Sequence, residues 1–456
     1  LHYIGEGPAE DEPPAADILN PDAVAEFIHL VYDKFAEHFS QYLGDTIPAI
    51  FTDEPAPLGR CRERGVWPGT RGILPEVNRL LGYDMTPHLP ALWYDDEPDA
   101  LRFRADYERA IALRLEETYY SQLHAWCEAH GVALTGHPAR GDHIGPLRFF
   151  HIPGQDLVWR WVLPDQPSAL QGPEATQAKC SASAMLHHGR QRNSNECCGA
   201  YGHELTWDEM TWLAHWCFIR GVNWLYPHAF YYSVRGPRWD ERPPDVGPHA
   251  PWWDRYKSYA DACRRLSWLN YECQHVCHIA ILGQPHWLPW RSAQICLEHQ
   301  RDFNYLEERH LWQDAQVDEE GIHIRGMHYR ALIVEEVADP RARPALDRLE
   351  QAGRVIHFGP GMAEAELLKR LDMLVPQETR VAPAAPGLRV RHVIKDGRHC
   401  FMLFNETRPA VEVQVELPVS GPALIWDPWT GESSALPSDH RVAMAGHSFL
   451  VIVIPE

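Results

Sequence analysis

The chain has 456 residues, 45% hydrophobic and 23% charged, the balance of a globular protein rather than of a disordered one. Asp and Glu (63) outnumber Lys and Arg (42), and the formal net charge of -21 argues against nucleic acid as a partner, because a phosphate backbone calls for basic residues. No apolar run reaches the roughly 18 residues that a membrane span needs, no signal peptide is visible, and the eleven cysteines show no disulfide-framework spacing, so we expect a cytoplasmic protein.

In chain order, Leu1-His2-Tyr3-Ile4 reads as a strand fragment. Asn20-Pro21 predicts a helix start, with Asn as cap and Pro at the first position, and Val24, Phe27, Ile28, Val31 and Phe35 follow at helical spacing. Residues 47–51 form a short apolar run that reads as a buried strand, ending in Thr52-Asp53-Glu54-Pro55. A polar, proline-rich insertion is expected over 56–97. Phe103, Tyr107, Ile111, Leu115, Tyr119 and Leu123 predict a long helix closed by Gly131. Further strands are expected at 132–135, ending in Gly136-His137-Pro138, and at 149–152, ending in Pro153-Gly154-Gln155-Asp156. A helix over 174–188 leads to a strand over 190–195 that ends at Glu196. Thr206-Trp207-Asp208-Glu209 is a capping box for the next helix, and the strand 222–226 ends at Pro227-His228.

Strands alternating with helices over 47–228 imply a parallel sheet covered by helices, either open and doubly wound or closed as a barrel. Polar residues at the C-terminal end of every strand favour the barrel, since an open sheet concentrates them at one switch point. The expected fold is therefore α/β: a partial (β/α)8 TIM-type barrel over 1–272. It is followed by a flavodoxin-like α/β domain over 273–382, a candidate surface for homo-oligomer formation, and a small C-terminal β-sandwich over 383–456. Cys273, His275, Cys277 and His278 match no zinc spacing and read as ordinary buried side chains, so no metal site is expected there.

Cleavage of a glycosidic bond needs two carboxyl groups, one to protonate the leaving oxygen and one to attack the sugar or activate water. Glu54 and Glu196 each stand at the end of a predicted strand. If 222–226 is barrel strand eight, they follow strands four and seven and face each other across the barrel mouth. Asp53, His137, Asp156, Asn195 and His228 are further strand-end groups suited to sugar hydroxyls. Tyr201, Tyr231 and Tyr232, with Trp239, are aromatic rings suited to the apolar faces of a sugar. Each has a bland alternative as a satisfied structural residue. Two other readings stand beside a hydrolase acting on carbohydrate: an inactive or truncated carbohydrate-binding relative, and a metal-dependent barrel hydrolase. The 27 His prompt the latter, but no His-x-His pair supports it.

The ordered set Asp17-Ile18-Leu19-Asn20-Pro21, Ile50-Phe51-Thr52-Asp53-Glu54-Pro55, Leu134-Thr135-Gly136-His137, Ile152-Pro153-Gly154-Gln155-Asp156, Asn195-Glu196, Tyr201-Gly202 and Arg220-Gly221-Val222-Asn223 resembles glycoside hydrolase family 106, the alpha-L-rhamnosidases. The run His228-Ala229-Phe230-Tyr231-Tyr232-Ser233 fits as well. The resemblance implies a rhamnoside-cleaving barrel with Glu54 as acid and Glu196 as base, leans toward inversion, and allows a calcium ion without assigning its ligands. It also implies that the first barrel strands would lie upstream of Leu1.

Overall fold

The structure is a computed structural model that describes residues 16–59, 65–239, 242–337 and 339–455. The strand expected at Leu1-His2-Tyr3-Ile4 lies outside the described residues. The chain divides into two compact units, Leu1–Ala139 with Phe149–His151, and Arg140–Arg148 with Ile152–Glu456.

In the first unit, Asn20 caps the helix Pro21–Phe27 by accepting the Asp22 amide (3.0 Å). The helical course continues through a π-helical turn, Ile28–Asp33, into Lys34–Phe39. Strands β1 (Ala49–Asp53) and β2 (Ala133–His137) pair in parallel, Asp53 opposite His137. Gly136 of β2 lies so close to β1 that a Cβ there would stand 2.0 Å from the Thr52 carbonyl oxygen, and its φ of +116° suits glycine. The long helix forms as expected, Ala100–Leu115 continuing through a π turn into Ser121–Ala129, with Phe103, Tyr107, Ile111, Leu115 and Leu123 buried.

The proline-rich stretch is more ordered than its composition suggests. It contains the helix Ile73–Leu81, with Val77 fully buried. Pro75 sits in the first turn, where backbone N–H groups have no intrahelical partner to lose, so this proline does not break the helix.

In the second unit, β3 (Ile152–Leu157), β4 (Ser194–Cys197) and β5 (Trp224–Pro227) pair in parallel and in register. Two strand positions differ from expectation. β3 runs through Pro153-Gly154-Gln155-Asp156 rather than ending before it. Pro153 stands near the strand start, where proline is tolerated, and pairing with β4 begins at Gly154. β4 starts at Ser194 because the preceding Asn193 is held in side-chain bonds: it donates to the Gly221 carbonyl (2.9 Å), and its amide donates to Asn223 (3.0 Å). The capping box at Thr206 and Glu209 forms and opens the helix Trp207–Ile219.

That helix is buried nearly all round, because it is clasped between the parallel strands and the C-terminal sheet. Trp212 and Trp216 share one core with Leu157, Cys197, Met402, Phe404 and Val451. Arg220, at its end, pairs with Glu406 (3.0 Å), which also takes Arg389 (2.9 Å); all three are buried.

A four-stranded parallel sheet follows, in spatial order Asn304–Glu307, Ile279–Gly283, Ala331–Val334, Val355–His357. This is the order 2-1-3-4 of doubly wound folds. After it the sheets are antiparallel. Phe401, Leu403 and Ile452 of one pack against Val413, Val415 and Val442 of the other. The strands Gln274–His275 and Arg380–Ala382, which the sequence places in the middle domain, pair instead with these C-terminal sheets. No described helix is long and apolar enough to cross a membrane.

Candidate active site

In the second unit the alternation of β3 and β4 assigns each side chain to a face. Gln155 donates to Cys180 Sγ (3.2 Å) and Asn195 donates to Gln177 Oε1 (3.1 Å); both partners lie on the helix Gln177–His187. Gln155 and Asn195 therefore face the helix layer. Asp156 and Glu196, one residue on in each strand, face the opposite way. The register sets Asp156, Glu196 and Tyr226 in one rank across β3, β4 and β5. All three are half-buried, so solvent and a ligand can reach them.

This arrangement corrects two sequence expectations. Asn195 adjoins Glu196 in the chain but is fully buried on the helix side, where its amide serves packing rather than a sugar hydroxyl. Tyr201 is also fully buried; its hydroxyl donates to the Val162 carbonyl (2.7 Å) and its ring joins the core. Burial pushes that phenol well above its usual pKa. Tyr201 is a core residue and not a stacking platform. Tyr226, in register with Glu196, is the residue that sequence reasoning passed over. The signal was available: aligning the C-terminal ends of the two strands sets it beside Glu196.

Around this rank, the His228 amide donates to the Cys197 carbonyl (2.7 Å), which carries the ladder one residue past β5. Its ring meets that of Tyr231 edge-on, centroids 6.2 Å apart. Tyr231 is pinned, its hydroxyl donating to the Arg242 carbonyl (3.0 Å) and its amide to Asp245 (3.2 Å). Tyr232 next to it is 81% exposed. Trp239 stacks on His203 at 4.1 Å. Just past β3, Trp159 and Arg160 both adopt left-handed φ (58° and 55°). Arg160 is drawn inward to Glu209 (2.6 Å) and the Tyr201 carbonyl (3.0 Å), while Trp159 and Trp161 remain exposed.

In the first unit, β1 ends at Asp53, and Glu54 lies beyond the strand with a left-handed φ of 41° just before Pro55. Strand alternation therefore does not govern the direction of Glu54. His137, almost wholly buried, donates from Nδ1 to the Pro138 carbonyl (3.3 Å) and turns Nε2 toward Asp53 Oδ1 (3.5 Å). Asp53 itself is largely exposed. The Thr52 hydroxyl bonds to that of Tyr119 (2.9 Å), fixing the end of β1 against the long helix. Each unit thus presents carboxylates at the C-terminal ends of parallel strands, the position that barrel enzymes use for chemistry.

A family model described as alpha-L-rhamnosidase, glycoside hydrolase family 106, matches residues 7–360. Among curated proteins none matches the chain. Among solved structures, the chain is similar to a rhamnosidase from Novosphingobium sp. PP1Y, with a TM-score of 0.72 and 16% identity, over 98% of this chain and 49% of that one. It thus spans about half the length of that protein. It is also similar to a family 42 β-galactosidase from G. stearothermophilus (TM-score 0.62, 10% identity, 96% of this chain and 82% of that one). A β-galactosidase from Bacillus circulans sp. alkalophilus gives a TM-score of 0.61 at 9% identity, over 96% of this chain and 83% of that one. At such identities the likeness shows the fold, a mixed α/β architecture of the barrel-glycosidase type with mostly antiparallel sheets after it. With the match covering most of its length, the chain belongs to glycoside hydrolase family 106, the alpha-L-rhamnosidase family.

Proposed function

We propose that this protein hydrolyses a terminal rhamnoside with Glu54 and Glu196 as its catalytic carboxyl pair. The observation that carries the reading is Glu196 in rank with Asp156 and Tyr226, on the face of β4 turned away from its helix, within a chain of family 106. Glu54 acts as acid and protonates the glycosidic oxygen as the bond to the anomeric carbon breaks. Glu196 acts as base and takes a proton from the water that attacks the opposite face of the sugar, so the anomeric configuration inverts. Asp156 and the Tyr226 hydroxyl hold sugar hydroxyls beside the base. Asp53, with His137 behind it, does the same beside the acid. Trp159 and Tyr232 offer exposed rings to the apolar face of the sugar.

A calcium ion takes roughly six to eight oxygen ligands. The rank on β3–β5 supplies two carboxylates of such a set, Asp156 and Glu196. The test is a screen of nitrophenyl glycosides, rhamnoside first, with the product anomer followed by NMR. Release of the inverted sugar is expected, abolished in Glu196→Gln, and in Glu54→Gln abolished on an alkyl rhamnoside, whose leaving oxygen needs the acid. Sugar binding without turnover in the parent would make the protein a carbohydrate-binding relative instead.

A further inference from the structure

Among the described residues, two groups of histidine and carboxylate lie away from the strand ends, and their hydrogen bonds distinguish them. In the first unit, His124, Glu128 and His151 bring one donor atom each within 4.8 Å of one another. There the His151 Nδ1 accepts the Leu134 amide (3.0 Å). The neutral ring therefore carries its proton on Nε2, the atom that faces Glu128 at 3.5 Å. With Nδ1 taken by that amide and the proton on Nε2, the ring has no lone pair left for a metal, so this group is a hydrogen-bonded cluster.

The second group, on the ribbon of strands Gln316–Val317, Ile322–Ile324 and Met327–Tyr329, is different. His323 and His328 are directly opposed across the antiparallel pair, and their rings stack at 4.1 Å. Glu320, in the adjoining turn, brings its carboxylate within 4.8 Å of a nitrogen of each ring. That turn is fixed by Asp318, whose Oδ1 accepts the amides of Glu320 (2.9 Å) and Gly321 (3.2 Å). Its Oδ2 stays beside His323 Nε2 at 3.3 Å. His323 Nε2 is buried and makes no aligned hydrogen bond. His328 Nε2 makes only a long bond to the Glu320 carbonyl (3.3 Å), and His278 braces the strand by donating to the His328 carbonyl (2.9 Å).

We propose that this ribbon binds a divalent cation of the zinc class, with His323, His328 and Glu320 as ligands and Asp318 or water completing the set. Two imidazoles and one or two carboxylates suit a borderline ion in tetrahedral geometry. The parallel rings need only turn about their side-chain torsions for the two lone pairs to converge. A bound ion would tie the turn to the hairpin.

The test is calorimetric titration of the metal-stripped full chain with zinc, and with cobalt(II) followed by its visible absorption. One saturable equivalent is expected, weakened roughly tenfold or more in His323→Ala, His328→Ala and Glu320→Gln and unchanged in His124→Ala. Glu320→Gln lies on an exposed turn and spares the hairpin packing. No saturable equivalent in the parent, undiminished binding in the His323→Ala/His328→Ala double variant, or loss of the equivalent in His124→Ala would each overturn the site.

Discussion

The two faces of β3–β5 in the second unit differ by a single residue step along each strand, yet they do opposite work. The helix-side face is closed: Gln155 and Asn195 bond to the helix behind them, and Leu157 and Cys197 enter the core. The other face carries Asp156, Glu196 and Tyr226, half-buried and in register. The alternation of a strand thus separates a packed face from an accessible one among adjacent residues. Substitutions on the open face are expected to cost rate, and substitutions behind it to cost stability.

The largest effect should fall on the open face. Glu196→Gln keeps shape and removes the proposed base, so kcat should drop by about 10^4, near the upper end for general acid–base groups, with the melting temperature nearly unchanged. Steady-state kinetics beside calorimetry checks both halves. A large fall in stability would show that Glu196 belongs to the structural face after all.

The converse experiment lies in the core behind the strands. Glu406 is buried between Arg220 and Arg389, and removing its charge strands two guanidinium groups away from water. Glu406→Gln should destabilise the fold by about 3–5 kcal/mol, read by urea unfolding. Burial already disfavours charge on Arg220, so it depends on that carboxylate.

Acid should also act on the core first. Burial pushes His215 down to about 4 from its usual 6.5, and the neutral ring donates to the His447 carbonyl (3.2 Å) while accepting the Trp429 N–H (2.9 Å). The unfolded chain takes up a proton near pH 6.5 and the folded one does not. Stability is therefore full above about pH 6.5 and falls as the pH drops toward 4, by about 2 kcal/mol at pH 5 from this site. His143, held at about 4 by burial, adds to the same slope. His215→Gln should flatten the urea-stability profile between pH 7 and 5. An unchanged slope would remove His215 from the account.

What the sequence made legible follows the same division. Caps and helix spacing were readable because they are local: Asn20-Pro21, the Thr206–Glu209 box and the Phe103–Leu123 periodicity each carry their signal within a few residues. The acids at the ends of β1 and β4 were readable for the same reason. Tyr201 and Asn195 were misassigned because their fates depend on partners distant in sequence, Val162 for one and Gln177 for the other. The helix Ile73–Leu81 was obscured by proline content, although Pro75 occupies a position that tolerates it. The strands Gln274–His275 and Arg380–Ala382 were not legible, because they pair with the C-terminal sheets and pairing partners are not encoded locally.

The smallest predicted effect is also the sharpest test of register. Tyr226 owes its place in the proposed site only to pairing with Glu196 across β4 and β5. Tyr226→Phe removes one hydroxyl and leaves the ring. If that hydroxyl holds a sugar hydroxyl in the transition state, kcat/KM should fall about tenfold, the equivalent of one hydrogen bond of about 1.4 kcal/mol. Tyr201→Phe, which deletes the buried hydroxyl bonded to Val162, should instead lower stability by about 1 kcal/mol and leave kcat/KM alone. Equal kinetic losses in the two variants would mean that the faces of these strands are energetically coupled, and the separation between them would fail.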